Sequence, residues 1–119
     1  MDAVNLSSLL DRFSERWAPK TIAGLNDYDV KIVKVLGEFT WHTHADTDEL
    51  FLVLDGSLTI QMRDRDVRLS RGELFVVPRG AEHCPRADIE TALLLIEPRG
   101  VVNTGDADGP MTAEAERLS

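Results

Sequence analysis

Cysteine occurs once, at position 84, in a chain of 119 residues. A single thiol excludes an internal disulfide and any metal site made of cysteines alone. Long apolar runs are also missing. Stretches such as 50–54 are far too short to span a bilayer. Positive charge is scarce, with 13 Lys and Arg against 21 Asp and Glu and a net charge of −8. So acidic a chain draws neither nucleic-acid backbones nor anionic lipid heads, which excludes nucleic acid and membrane surfaces as expected partners. The residues after Met1 have neither the basic start nor the apolar stretch of a secretory signal, so cytoplasmic residence is the expectation. Repeats and low-complexity segments are absent. What remains is one domain with one modest core, and small molecules, metals or protein partners as ligands.

The chain opens on an amphipathic stretch. Leu6, Leu9, Leu10, Phe13 and Trp17 fall at helical spacing, Asn5 or Asp2 is placed to cap the start, and Pro19 stops it. This predicts an N-terminal helix within residues 1–19. Residues 20–98 read as β-structure. Apolar or alternating runs at 28–36, 38–44, 49–54, 57–62, 67–69, 74–77 and 89–96 are separated by turn signals. Many short strands with regular turns predict an all-β fold, a sandwich or a small barrel. Residues 99–119, with Gly100, Gly105, Gly109 and Pro110, read as a peripheral loop and a loosely held tail.

All three histidines fall in the β region. His42 and His44 stand two apart in the alternating run, which predicts that both rings leave the same face of a strand. Glu49 opens the next apolar run, on the expected antiparallel neighbour. His83 follows a Gly-Pro-Gly frame made of Gly72, Pro78 and Gly80. Gly37 and Gly56 flank the first group and suit a bulge or a turn.

The stretch Gly37, His42, His44, Glu49, Gly56 followed by Gly72, Pro78, Gly80, His83 resembles the two motifs of the cupin superfamily, specifically its small single-domain bacterial members. One departure is Ala87, where such proteins often carry Asn. The resemblance implies a small antiparallel β-barrel of the jelly-roll type (a double-stranded β-helix) with a short N-terminal helix. It also implies that His42, His44, Glu49 and His83 are metal ligands, and that the protein is a homodimer packed sheet to sheet. Three imidazoles and one carboxylate suit one divalent transition metal ion such as iron, manganese, nickel, copper or zinc. Ordinary imidazoles would lose that ion to protons as pH falls through roughly 6 to 5.

Other residues are expected near the site. Glu38 and Thr40 share the parity of His42, which makes Glu38 the candidate free base and Thr40 a pocket residue. Phe51 and Val53 share the parity of Glu49, and Phe75 and Val77 are expected on the opposite wall. Trp41 is expected to face away from the site, and Cys84 to be inert. Arg79 and Arg86, set among Asp46, Asp48 and Glu82, do not form the convergent clamp that a phosphorylated substrate needs. Three readings follow: a metal-dependent enzyme acting on a small organic molecule, dioxygenase-like ahead of isomerase- or lyase-like; a metal-assisted binding module without turnover; and a barrel that an ion merely stiffens.

Overall fold

The computed structural model describes residues 2–118. Its one helix, α1 (Leu6–Leu10), is capped by the Asn5 side chain, which accepts from the Ser8 amide at 2.9 Å. The helix is shorter than its apolar spacing predicts. Beyond Leu10 the chain is drawn onto the sheet instead. The Phe13 carbonyl accepts from Lys34 Nζ, and the Trp17 amide donates to the Lys34 carbonyl. Trp17 adopts a φ of 60°, a conformation rare for a bulky side chain, and is held there by its indole N–H bond to the Leu36 carbonyl. Tertiary bonds outweigh the helical propensity of residues 11–17.

The strands are β1 (Lys20–Leu25), β2 (Tyr28–Glu38), β3 (Glu49–Asp55), β4 (Ser57–Met62), β5 (Asp66–Ser70), β6 (Leu74–Val77), β7 (His83–Pro98) and β8 (Glu116–Arg117). All pairs are antiparallel except β1 with β8. The sixteen-residue β7 organises the fold. One of its edges pairs with β2. The other pairs with β4 over its first residues and with β3 over its later ones, and β3 carries β6. Serving two partners in succession along one edge rolls the sheet into the expected antiparallel barrel.

The interior follows strand alternation. Val33 and Val35 from β2, Phe51 and Val53 from β3, Leu58 and Ile60 from β4, and Leu93 and Leu95 from β7 meet in one apolar core. A second, smaller cluster lies on the outer face, where Leu9 and Phe13 cover Ile22 and Ile32. The turn between β3 and β4 needs glycine. Gly56 has a φ of 91°, and a Cβ there would overlap the Thr91 hydroxyl and the Glu90 carbonyl.

The C-terminal segment is peripheral and largely exposed, and is tied to the barrel at a few points. Thr104 is buried, Asn103 bonds to the Trp17 and Met111 carbonyls and to the Ala113 amide, and β8 lies along β1. Buried Lys20 reaches both Glu15 and Glu116, tying both ends of the chain to the barrel. No helix among the described residues is long and apolar enough to cross a membrane.

Candidate metal centre

His42 and His44 do not lie on a regular strand. β2 ends at Glu38, and between there and β3 only His42 makes a bridge, to His83. That bridge builds the site. The His42 amide donates to the His83 carbonyl at 2.9 Å, and the His83 amide returns the bond at 3.0 Å. The two rings consequently sit 4.3 Å apart, centre to centre. Further bonds stitch the two ligand loops together. The Gly80 amide donates to the His44 carbonyl, and the Arg79 amide donates to Asp48. Glu49 comes in on β3, whose partners are β6 and β7 rather than the histidine segment.

His42, His44, Glu49 and His83 are all buried, and each offers a ligand atom within 4.8 Å of the others. Backbone carbonyls orient two of the rings. His42 Nδ1 lies 2.8 Å from the Thr40 carbonyl, and His83 Nδ1 lies 3.0 Å from the Ala81 carbonyl. A carbonyl only accepts, so Nδ1 carries the proton in both rings and Nε2 presents a lone pair. Carbonyl support of this kind is usual behind metal-ligating histidines.

The centre of the cluster is left unsatisfied. Among the described residues, His44 Nε2, Glu49 Oε1 and His83 Nε2 are buried without a hydrogen-bond partner. Glu49 Oε1 stands 3.5 Å from both His44 Nε2 and His83 Nε2. Three orphaned donor atoms facing one point are costly by themselves. They fit a divalent cation, which would satisfy all three.

Electrostatics agree. Burial, reinforced by His83, pushes the His42 imidazole down to about 4. Burial also lowers His44. The apo site therefore keeps these two ligands neutral and competent at neutral pH. Burial alone would raise Glu49, but its close neighbours His83, Glu97 and His44 outweigh it and hold the carboxylate low. Glu97 moves upward, through burial and its contact with Glu49.

His42 and Glu49 open onto an apolar cleft lined by Trp17, Phe39, Phe51, Pro85, Leu93, Leu95, Glu97 and Asn103. Trp17 stacks on Phe39 at 4.7 Å, and Phe39 meets the His42 ring edge-on at 5.4 Å. Of the five expected pocket residues, Phe51 alone lines this cleft. Val53 and Val77 are buried in the apolar core, and Phe75 is half-buried at its margin beneath Arg65. Thr40 supports His42 through its carbonyl and lines a separate depression with Thr104 and Met111.

Glu38 is exposed and accepts from Gln61 at 3.2 Å, away from the cleft lining. The parity expectation failed because no continuous strand joins Glu38 to His42. Trp41 is half-buried with the Arg63 guanidinium 3.8 Å above its ring. Cys84 is buried, and burial pushes its thiol up to about 11.

The residues missed by sequence reasoning are Trp17, Phe39, Lys31, Glu97 and Asn103. Lys31 and Glu97 left a legible signal, since each shares strand parity with core residues, Val33 and Leu95 respectively. Trp17 and Asn103 reach the cleft only by long-range bonds, which no local pattern encodes.

A family model described as the cupin domain matches residues 31–97. The chain belongs to the cupin family. Among solved structures, this cupin is similar to a cupin-2 domain protein from Shewanella frigidimarina, with 48% identity, a TM-score of 0.80, and coverage of 81% of this chain and 94% of that one. It is also similar to protein NMB1881 from Neisseria meningitidis, with 30% identity, a TM-score of 0.75, and coverage of 82% and 99%. The uncharacterized protein YdbB of Bacillus subtilis is 34% identical over 94 residues, covering 78% of this cupin and 83% of YdbB.

Proposed function

We propose that this cupin is a metal-dependent enzyme acting on a small organic molecule, dioxygenase-like ahead of isomerase- or lyase-like. In this reading one divalent transition metal ion is held by His42, His44, Glu49 and His83. The observation that carries it is the set of buried, unpartnered ligand atoms of His44, Glu49 and His83, with Glu49 and His42 opening onto a largely apolar cleft. A divalent ion bound there supplies Lewis acidity or, for iron, manganese or copper, redox capacity.

The chain's own residues do the remaining work. The Thr40 and Ala81 carbonyls accept from Nδ1 of His42 and His83, which fixes the orientation of both rings and turns Nε2 toward the site. Glu49 contributes the anionic donor that offsets part of a divalent charge. Trp17, Phe39 and Phe51 wall the cleft, exclude water and favour a flat apolar ligand. Where a second copy is needed, the outer face supplies an apolar strip, so the working assembly in this reading is a cytoplasmic homodimer.

Oxygen uptake by the iron(II)-supplied protein, with chelating diols, diketones and thiols as trial substrates, tests the reading. The expected result is uptake with product formation, abolished in metal-stripped protein and strongly reduced in Glu49→Gln. A ligand-induced rise in Tm without product would make the protein a metal-assisted binding module instead. Full activity after metal removal would overturn the role of the ion.

A further inference from the structure

Three charged side chains share the interior layer of the barrel beside the histidines. Lys31, Glu97 and Glu49 are 3%, 2% and 4% exposed. They come from three neighbouring strands, β2, β7 and β3. Pairing aligns Leu50 with Ile96, so Glu49 falls across from Glu97 at the next position of the same antiparallel ladder. On the other side of β7, Lys31 pairs with Leu95, two residues from Glu97. Each of the three is followed, two residues toward the core, by an inward apolar residue: Val33, Leu95 and Phe51.

Two carboxyl groups facing one another across a ladder repel when both are charged, and burial sharpens the cost. Here the conflict has a structural answer. Lys31 Nζ donates to Glu97 Oε1 at 2.7 Å, with both side chains buried. That bond pins one oxygen of Glu97 and fixes the plane of its carboxyl group. The register places this carboxyl group beside that of Glu49 on the neighbouring strand, both buried in the same layer. Glu97 Oε2 has no hydrogen-bond partner among the described residues. On its far side, Glu49 turns Oε1 toward His44 and His83 at 3.5 Å each.

We infer that Lys31 and Glu97 are a positioning pair for Glu49, in which Lys31 fixes Glu97 and Glu97 fixes the orientation that aims Glu49 Oε1 at the histidines. The inference rests on the metal-binding reading of the four-residue cluster. Without Glu97, the Glu49 carboxyl faces a gap and is free to turn away from the other donors. The ion would then meet a ligand set that must be ordered on binding. Outer partners that orient a ligand in this way are worth roughly 10–100-fold in metal affinity.

Cobalt(II), added alone to the metal-stripped full chain, reports affinity and coordination together through its visible absorption. Glu97→Leu should bind cobalt roughly 10–100-fold more weakly than wild type, with a shifted visible spectrum. Glu97→Gln should remain within about threefold of wild type, because its amide oxygen still accepts from Lys31 and its amide N–H still reaches Glu49. Lys31→Met should weaken binding alone and add nothing in the Glu97→Leu background, the mark of action through one residue.

Wild-type affinity and spectrum in folded Glu97→Leu would overturn the pairing. If that variant does not fold, wild-type affinity and spectrum in Lys31→Met would overturn it equally. Failure of the wild-type protein to bind cobalt would instead overturn the metal reading beneath it.

Discussion

His83 is held by a reciprocal backbone pair with His42 and by the Ala81 carbonyl behind its ring, and its Nε2 has no other partner to lose. His83→Ala should therefore leave the barrel folded, with circular dichroism unchanged, while metal content after dialysis falls well below that of wild type. Equal metal content would remove His83 from the site. His42 sets a pH dependence. Its folded pKa is depressed to about 4 from 6.5 by burial and by His83, whereas the unfolded chain keeps the ordinary value. Between those values the unfolded state binds more protons, so stability of the metal-free protein is lost as pH falls through that window, by up to about 3 kcal/mol from this ring. Urea midpoints at neutral pH and near pH 4.5 check this, and His42→Gln should lose less over the interval. Proton competition at this ring accordingly begins lower than the pH of roughly 6 to 5 expected from an ordinary imidazole. The identity of the clustered residues was legible, because two spaced frames named all four. Their carriers were not, because the His42–His83 bridge joins positions forty-one apart.

Among the elements, most strands appear where turn residues bounded them, since Asp55-Gly56 and Arg71-Gly72 interrupt pairing wherever the fold lies. Gly56→Ala should destabilise the protein by about 1–3 kcal/mol in chemical denaturation, because a Cβ there meets Thr91 and Glu90 at an unfavourable φ. An unaltered midpoint would show that the turn relaxes freely. Sequence periodicity does not set the extent of the elements that are shaped from outside. Helix α1 gives way where Lys34 takes the Phe13 carbonyl. The C-terminal segment is ordered by Asn103 and by close approach of Gly105 to the Thr43 carbonyl. Asn103→Ala removes the bonds to Met111 and Ala113, so limited proteolysis should cut residues 104–118 faster while the barrel stays intact. Equal cleavage rates would show that Thr104 and β8 suffice.

At the scale of the whole molecule, the outer sheet face is covered unevenly. Leu9 and Phe13 shield Ile32. Register continues that face outward through Leu94, Leu52 and Leu74 in one row, and through Ile96, Leu50 and Val76 in the next. Leu74 is 56% exposed and Val76 41%. None of these six positions carries charge, and a flat apolar strip matches a two-fold copy of itself. Light scattering should give a dimer at micromolar concentration, and Leu74→Lys with Val76→Lys should give a folded monomer. A wild-type monomer would count against the homodimer.

The sequence by itself determined the all-β class, and its resemblance to the cupin motifs pointed to the barrel and to the four ligand-type residues. Alternation, turn residues and the two His-containing frames are local properties, and they persist whatever the distant chain does. Only the tertiary structure decided which side chains surround that site. It took Glu38 out, brought Trp17 and Asn103 in, and set Lys31 and Glu97 behind Glu49. The reason is that a strand's period says which face a residue occupies, whereas its neighbours on that face come from pairing with strands far along the chain. Here that pairing runs through β7, which sets Lys31, Glu97 and Glu49 on three neighbouring strands in one layer.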